Sequence, residues 1–96
     1  MVPNGSTEGA SEALEILRDA EKALASGDLD RAEELALSVT GEPKELAAAL
    51  NLRGVTARKR GDRETALRLF VEAGETDNQR AGHFVNQGRT LIELNR

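Results

Sequence analysis

The sequence of 96 residues predicts an all-α fold, built as a helical repeat array of about five helices. The first observation is composition: Ala, Leu, Glu and Arg, which favour helices, are abundant, and there are two Phe and no Trp or Tyr. The second is that no run alternates apolar and polar residues as a half-buried strand would. The third is an internal period of about 34 residues, which is typical of helical repeats.

The period is carried by a Gly-Asp pair between two amphipathic segments. Gly27 and Asp28 recur one period later as Gly61 and Asp62. The same offset relates Ala20 to Gly54, Ala32 to Ala66 and Leu35 to Leu69, and it extends from Gly54 to Gly88. A repeat of this kind predicts recognition of other molecules by a stacked surface, without naming the partner.

The first helix is expected from Glu12 to Ala25, with Ser11 as its N-cap. Residues 1–10 have no periodicity and are expected to be a disordered lead-in. A broad stripe of Leu, Ile and Ala follows at helical spacing. Gly27 supplies the left-handed residue that ends this helix.

The second helix is expected from Leu29 to Val39. Either Asp28 or Asp30 can cap it, because a carboxylate suits the N-terminus of a helix. Thr40 and Gly41 break it.

The third helix is expected from Pro43 to Arg60, since a proline is tolerated in the first turn. Gly54 lies well inside it, where glycine costs about 1 kcal/mol relative to alanine. That cost predicts the close approach of a neighbouring helix at Gly54. The fourth helix is expected from Arg63 to Ala73, capped by Asp62.

Gly74 is expected to end the fourth helix. Asp77 or Asn78 then begins a fifth, from about Gln79 to Leu94, with Gly88 in its middle.

Net charge and composition exclude several classes of function. A net charge of −4 and a pI near 5.0 argue against nucleic-acid binding, which needs an excess of Lys and Arg. There is no cysteine for a disulfide or a thiolate site. No apolar run reaches the length of a membrane span, and the N-terminus lacks the layout of a signal peptide, so a cytoplasmic location is expected.

An enzyme is not expected. His83, the one histidine, has no carboxylate cluster at ligand spacing, and no phosphate-binding glycine loop or nucleophile elbow occurs. We therefore expect no catalytic residue, no metal and no cofactor.

With small residues at fixed places in a two-helix unit, the chain resembles the tetratricopeptide repeat (TPR) family. The family's small eighth position corresponds to Ala20, Gly54 and Gly88, and its alanine at the twentieth to Ala32 and Ala66. The resemblance places a domain over residues 11–96, with repeats at 13–46 and 47–80 and a half repeat at 81–96. The chain departs from the family at the seventh position, where Asp19, Arg53 and Gln87 replace the common leucine.

The resemblance implies a right-handed superhelix of antiparallel hairpins, whose first helices line a concave groove that binds a peptide or a segment of a partner protein. The expected groove residues are Asn51, Val55, Arg58, Lys59, Val85 and Arg89, and the family positions add Leu14, Leu17, Glu21, Leu24, Ala25, Ala48, Gly82, Ile92 and Glu93. An asparagine can clamp a peptide backbone, and the cations could attract an acidic element of the partner. The alternative is that Arg58 and Lys59 only solvate the end of their helix.

The expected C-terminal helix suggests a second function. Its apolar residues Leu91, Ile92 and Leu94 form a candidate association surface. They could serve a structural or oligomerisation module, join this segment to a longer array, or simply pack on the fourth helix. A monomer or a weak homodimer is expected.

Overall fold

The structure, a computed structural model, describes residues 5–77, and the side chains of residues 12–77. This part of the chain is all helical, with no strand among the described residues. The helices are α1 (Gly5–Ala25), α2 (Leu29–Leu37), α3 (Pro43–Lys59) and α4 (Arg63–Thr76). The prediction of an all-α fold is confirmed, and the expected fifth helix lies outside the described residues.

The helices pack as two hairpins, and α3 contacts each of the other three helices. Helix α1 packs against α2, and α3 packs against α4, while α3 also contacts both α1 and α2. One core cluster joins the first hairpin to the N-terminal half of α3, and its buried members are Ala13, Leu17, Ala20, Ala36, Val39, Ala49 and Leu52. A second joins the end of α3 to α4 through Ala57, Ala66, Leu69 and Phe70. Alanine supplies four of the seven buried residues of the first cluster and two of the four of the second, and such small side chains let helices approach closely.

The turns inside the two hairpins, one sequence period apart, end their helices with the same pair of backbone hydrogen bonds. Gly27 and Gly61 have φ of +86° and +89°, the left-handed conformation that ends a helix. The N–H of Gly27 donates to the carbonyl of Leu24 (3.1 Å) and that of Asp28 to Ala23 (2.9 Å); Gly61 and Asp62 donate in the same way to Arg58 and Ala57, at 2.9 Å each. This pair of bonds is the Schellman motif, and it reverses the chain within a few residues.

The helices that follow these turns have equivalent caps. Oδ1 of Asp28 accepts the N–H of Arg31, and Oδ1 of Asp62 accepts the N–H of Thr65, both at 3.2 Å. Of the two candidate caps for α2, the structure therefore uses Asp28, not Asp30. Hydrogen bonds from the side chain and the N–H of Thr65 lower the pKa of Asp62 below its ordinary value of 3.8.

The start of α1 differs from the expectation. The helix begins at Gly5, seven residues before the expected start at Glu12. Residues 1–4 lie outside the described part. Once an apolar stripe anchors a helix, each added residue extends it at little cost, and such an extension leaves no periodic signal of its own.

Other helix ends differ by a few residues. Helix α2 ends at Leu37, although Val39 beyond it is still buried in the first core cluster. Helix α4 continues through Gly74 to Thr76, so Gly74 does not end it. Gly74 is buried, and tertiary packing overrides its low helix propensity. The expected close approach at Gly54 is confirmed, because Gly54 lies against the ring of Phe70.

Candidate binding cleft

A cleft of about 330 Å³ opens between α1 and α3, and we call it the α1–α3 cleft. Its lining residues are Leu14, Leu17, Arg18 and Glu21 of α1 and Ala48, Asn51 and Leu52 of α3. Counted from Leu14 and from Ala48, the other positions follow at three, four or seven residues, so on each helix they share one face. The cleft is thus formed where the first helices of the two hairpins lie side by side.

The floor of the α1–α3 cleft is apolar and its rim is polar. Leu17 and Leu52 are buried and belong to the first core cluster. Leu14 lies on the same face of α1 as the buried Leu17, but 52% of its surface is exposed to solvent. Arg18 and Glu21 are exposed, and Asn51 is half-buried. An apolar floor with a few polar groups at its edge is the usual composition of a ligand site.

Five of the groove residues expected from the sequence line this cleft: Leu14, Leu17, Glu21, Ala48 and Asn51. The sequence reasoning missed Arg18 and Leu52. A signal for Arg18 was present, since it lies four residues after Leu14 and three before Glu21 and so falls on the same face. Leu24, also expected there, instead packs against the first core cluster.

Three other expected groove residues of α3 do not line the α1–α3 cleft. Val55 is half-buried and packs against the second core cluster. The guanidinium carbon of Arg58 lies 5.7 Å from the centroid of the Phe70 ring, in a cation–π contact. Lys59 is exposed at the last residue of α3. Arg58 therefore has an intramolecular role, stacking on a core ring.

Nη1 of Arg58 is buried and has no hydrogen-bond partner among the described residues. Ala25, also expected in the groove, is exposed and does not line the α1–α3 cleft. The remaining candidates from the sequence lie outside the described part of the chain. In the expected groove they are Gly82, Val85, Arg89, Ile92 and Glu93, and in the expected association surface Leu91, Ile92 and Leu94.

Ion pairs join α2 to α3 and to Arg60, the residue that follows α3. The guanidinium of Arg60 hydrogen-bonds both Asp30 and Glu33, and Nε of Arg53 lies 3.9 Å from Oε2 of Glu33. The hydrogen bond with Glu33 is the main reason why the pKa of Arg60 is raised, and attraction to the carboxylates of Glu33 and Asp30 adds to it. These pairs join the second helix of one hairpin to the first helix of the next.

A second cleft, of about 280 Å³, lies on the other face of α3, between α2 and α4. Its lining residues are Ala36, Leu37, Val39, Leu46, Ala49, Leu50, Arg53, Glu72 and Thr76. Leu37 is 59% exposed there and Leu46 is 36% exposed. It provides an exposed apolar surface against which effects at the α1–α3 cleft can be compared.

Within residues 5–77, no group of three or more His, Asp or Glu side chains is placed to hold a metal ion. None of the four described helices has the length and apolar character of a membrane span. No protein-family model matches the chain, and comparisons with curated proteins and with solved structures give no match either.

Proposed function

We propose that this chain is a TPR-type scaffold that binds a peptide segment of a partner protein in the α1–α3 cleft. The two hairpins would belong to a right-handed superhelix, with a further helix after α4. The turns at Gly27 and Gly61, equivalent in hydrogen bonding and in φ and separated by one sequence period, support a repeat of this kind. In such an array the first helices of successive hairpins line the concave, ligand-binding face.

The observation that carries the proposal is the composition of the α1–α3 cleft. Leu14 is half-exposed at its mouth, and the buried Leu17 and Leu52 form its floor. Apolar side chains of a peptide would cover this surface and gain the free energy of removing it from water. The carboxamide of Asn51 carries both a donor and an acceptor, which suits the N–H and C=O groups of a peptide backbone.

The test is selection of binders from a random peptide library displayed on phage, followed by fluorescence anisotropy with the selected peptides. The variant Leu14→Lys places a charge at the mouth of the cleft, at a position exposed enough for the fold to tolerate it. We expect affinity to fall about tenfold or more, because an apolar contact is lost and a charge is desolvated.

The matched control is Leu37→Lys, which changes an equally exposed leucine in the cleft between α2 and α4. Affinity should be unchanged in this variant, and both variants should keep the helical circular dichroism of the wild type. Failure to select any peptide, or an equal loss of affinity in the two variants, would contradict binding in the α1–α3 cleft.

A further inference from the structure

We propose that Arg18 and Glu21 select both the charge pattern and the direction of the bound peptide. The ligand would carry an acidic residue that meets Arg18 and a basic residue that meets Glu21, beside an apolar anchor on the leucine floor. This inference rests on the proposed function and adds the chemistry of the partner. The sequence predicted only an acidic element in the partner, attracted by Arg58, Lys59 and Arg89.

Arg18 and Glu21 are the charged residues that line the α1–α3 cleft, and both are exposed. Neither forms an ion pair or a side-chain hydrogen bond with another residue in the described part of the chain. The cleft therefore presents one cation and one anion that are both open to a ligand.

A pair on α2 shows that the sequence spacing does not by itself keep two such charges apart. Arg31 and Glu34 have the same order and the same separation of three residues, and Nη1 of Arg31 lies 3.3 Å from Oε1 of Glu34. On α1 the two side chains do not meet, although the helix brings them to one face in the same way. Their charges thus remain available to a molecule in the cleft.

The separation of the two charges matches a peptide. Three residues of α-helix rise about 4.5 Å, so Arg18 and Glu21 lie about one turn apart along α1. Side chains on one face of a bound peptide repeat about every 4.5–6 Å in a helix, at three or four residues, and about every 6.6 Å in an extended strand, at two residues. Because Arg18 comes first, the acidic group of the peptide should point towards the N-terminal end of α1.

The experiment uses two peptide libraries with random apolar positions and two fixed charges, Asp followed by Lys in one and Lys followed by Asp in the other. The protein variants are the charge exchange Arg18→Glu with Glu21→Arg, and as a matched control Arg31→Glu with Glu34→Arg. Both exchanges preserve net charge and composition, and both change exposed residues. Affinities are measured by anisotropy at low salt, where exposed ion pairs are least screened.

We expect the wild type to favour one order of charges by roughly 2–30-fold, the effect of two exposed ion pairs. The exchange at Arg18 and Glu21 should reverse that preference, and the exchange at Arg31 and Glu34 should leave it as in the wild type. The inference is overturned if peptides bind with sensitivity to Leu14→Lys but without a preferred order, or with a preference that the exchange does not reverse. In that case the proposed function stands. If neither library yields a binder, both the proposed function and this inference are refuted.

Discussion

A Cβ atom on Gly54 would lie 2.4 Å from Cε1 of Phe70, and 2.7 and 2.9 Å from Cδ1 and Cζ of the same ring. Real Cβ atoms do not approach other heavy atoms so closely. Phe70 itself is fully buried. The Phe70 ring therefore occupies the space that a side chain at residue 54 would fill. This contact sets the distance between α3 and α4.

The substitution Gly54→Ala should destabilise the fold. Alanine gains about 1 kcal/mol of helix propensity over glycine. The added methyl group must move the Phe70 ring, however, and overpacking of a core costs about 1–3 kcal/mol and occasionally more. We expect a net loss in the free energy of unfolding, measured with urea.

Two further variants separate this steric cost from a backbone cost. Adding Phe70→Leu should reduce the loss caused by Gly54→Ala, because neighbouring substitutions are not additive. Gly61 has nothing within 4 Å of an added Cβ and a φ of +89°, so Gly61→Ala should lose about 1 kcal/mol through backbone strain alone. Phe70→Leu should not rescue Gly61→Ala; rescue there, or none at Gly54, would refute the steric explanation.

Phe70 is expected to be the residue of α4 whose truncation costs most. Phe70→Ala removes a fully buried ring from the second core cluster and should lower the free energy of unfolding by about 3–5 kcal/mol. Val71 is the next residue and is 38% exposed. Val71→Ala is therefore the control, with a much smaller loss, and a loss below about 1 kcal/mol for Phe70→Ala would exclude its role as the core anchor.

The bridge from Arg60 to α2 should make stability depend on salt. Arg60→Gln removes the contacts with Asp30 and Glu33 that join the two hairpins. We expect this variant to be less stable than the wild type at low salt. The difference should shrink at about 1 M NaCl, where the Debye length is about 3 Å.

Arg31→Gln is the control for Arg60→Gln, because it breaks an exposed pair within α2 and joins no helices. Its effect on the midpoint of unfolding should be smaller. Equal effects of the two substitutions at every salt concentration would mean that the bridge contributes nothing between the hairpins.

The cap at Asp62 should give a stability difference in acid. Since the hydrogen bonds from Thr65 hold the pKa of Asp62 below 3.8, its carboxylate stabilises the folded state above that value. This contribution is lost as the pH falls from 3.8 through the lower pKa of the folded state. Asp62→Asn keeps a capping oxygen but does not titrate. The wild type should therefore lose stability relative to Asp62→Asn only below about pH 4.

Removing the hydroxyl of Thr65 tests the cause of the lowered pKa at Asp62. The comparison of Asp62 with Asp62→Asn is repeated in proteins that also carry Thr65→Ala. The change of their stability difference with pH should be smaller there, because one of the two hydrogen bonds to Asp62 is gone. A difference that is constant from pH 7 to about pH 2 would show that the pKa of Asp62 is the same in the folded and unfolded states.

The sequence by itself determined the elements that depend on local chemistry. The Gly-Asp pairs at Gly27 and Gly61 predicted both turns, because only a residue tolerant of positive φ can close a Schellman motif. Pro43 marked the start of α3, and the glycine inside α3 predicted the close approach of another helix. The resemblance to the TPR family implied that Asn51, Leu14 and Glu21 face a common groove, and all three line the α1–α3 cleft.

The tertiary structure decided which charges meet between helices. Arg60 follows α3 in the chain, and only the packing of α2 beside α3 brings its guanidinium to Asp30 and Glu33. Arg58, expected in the groove, stacks on Phe70 because α4 brings that ring beside the end of α3. Asp28 rather than Asp30 caps α2, and α4 continues through the buried Gly74, neither of which the sequence pattern decided. Periodicity assigns a residue to a face, whereas its partner depends on the distance and angle between helices, which the whole core sets.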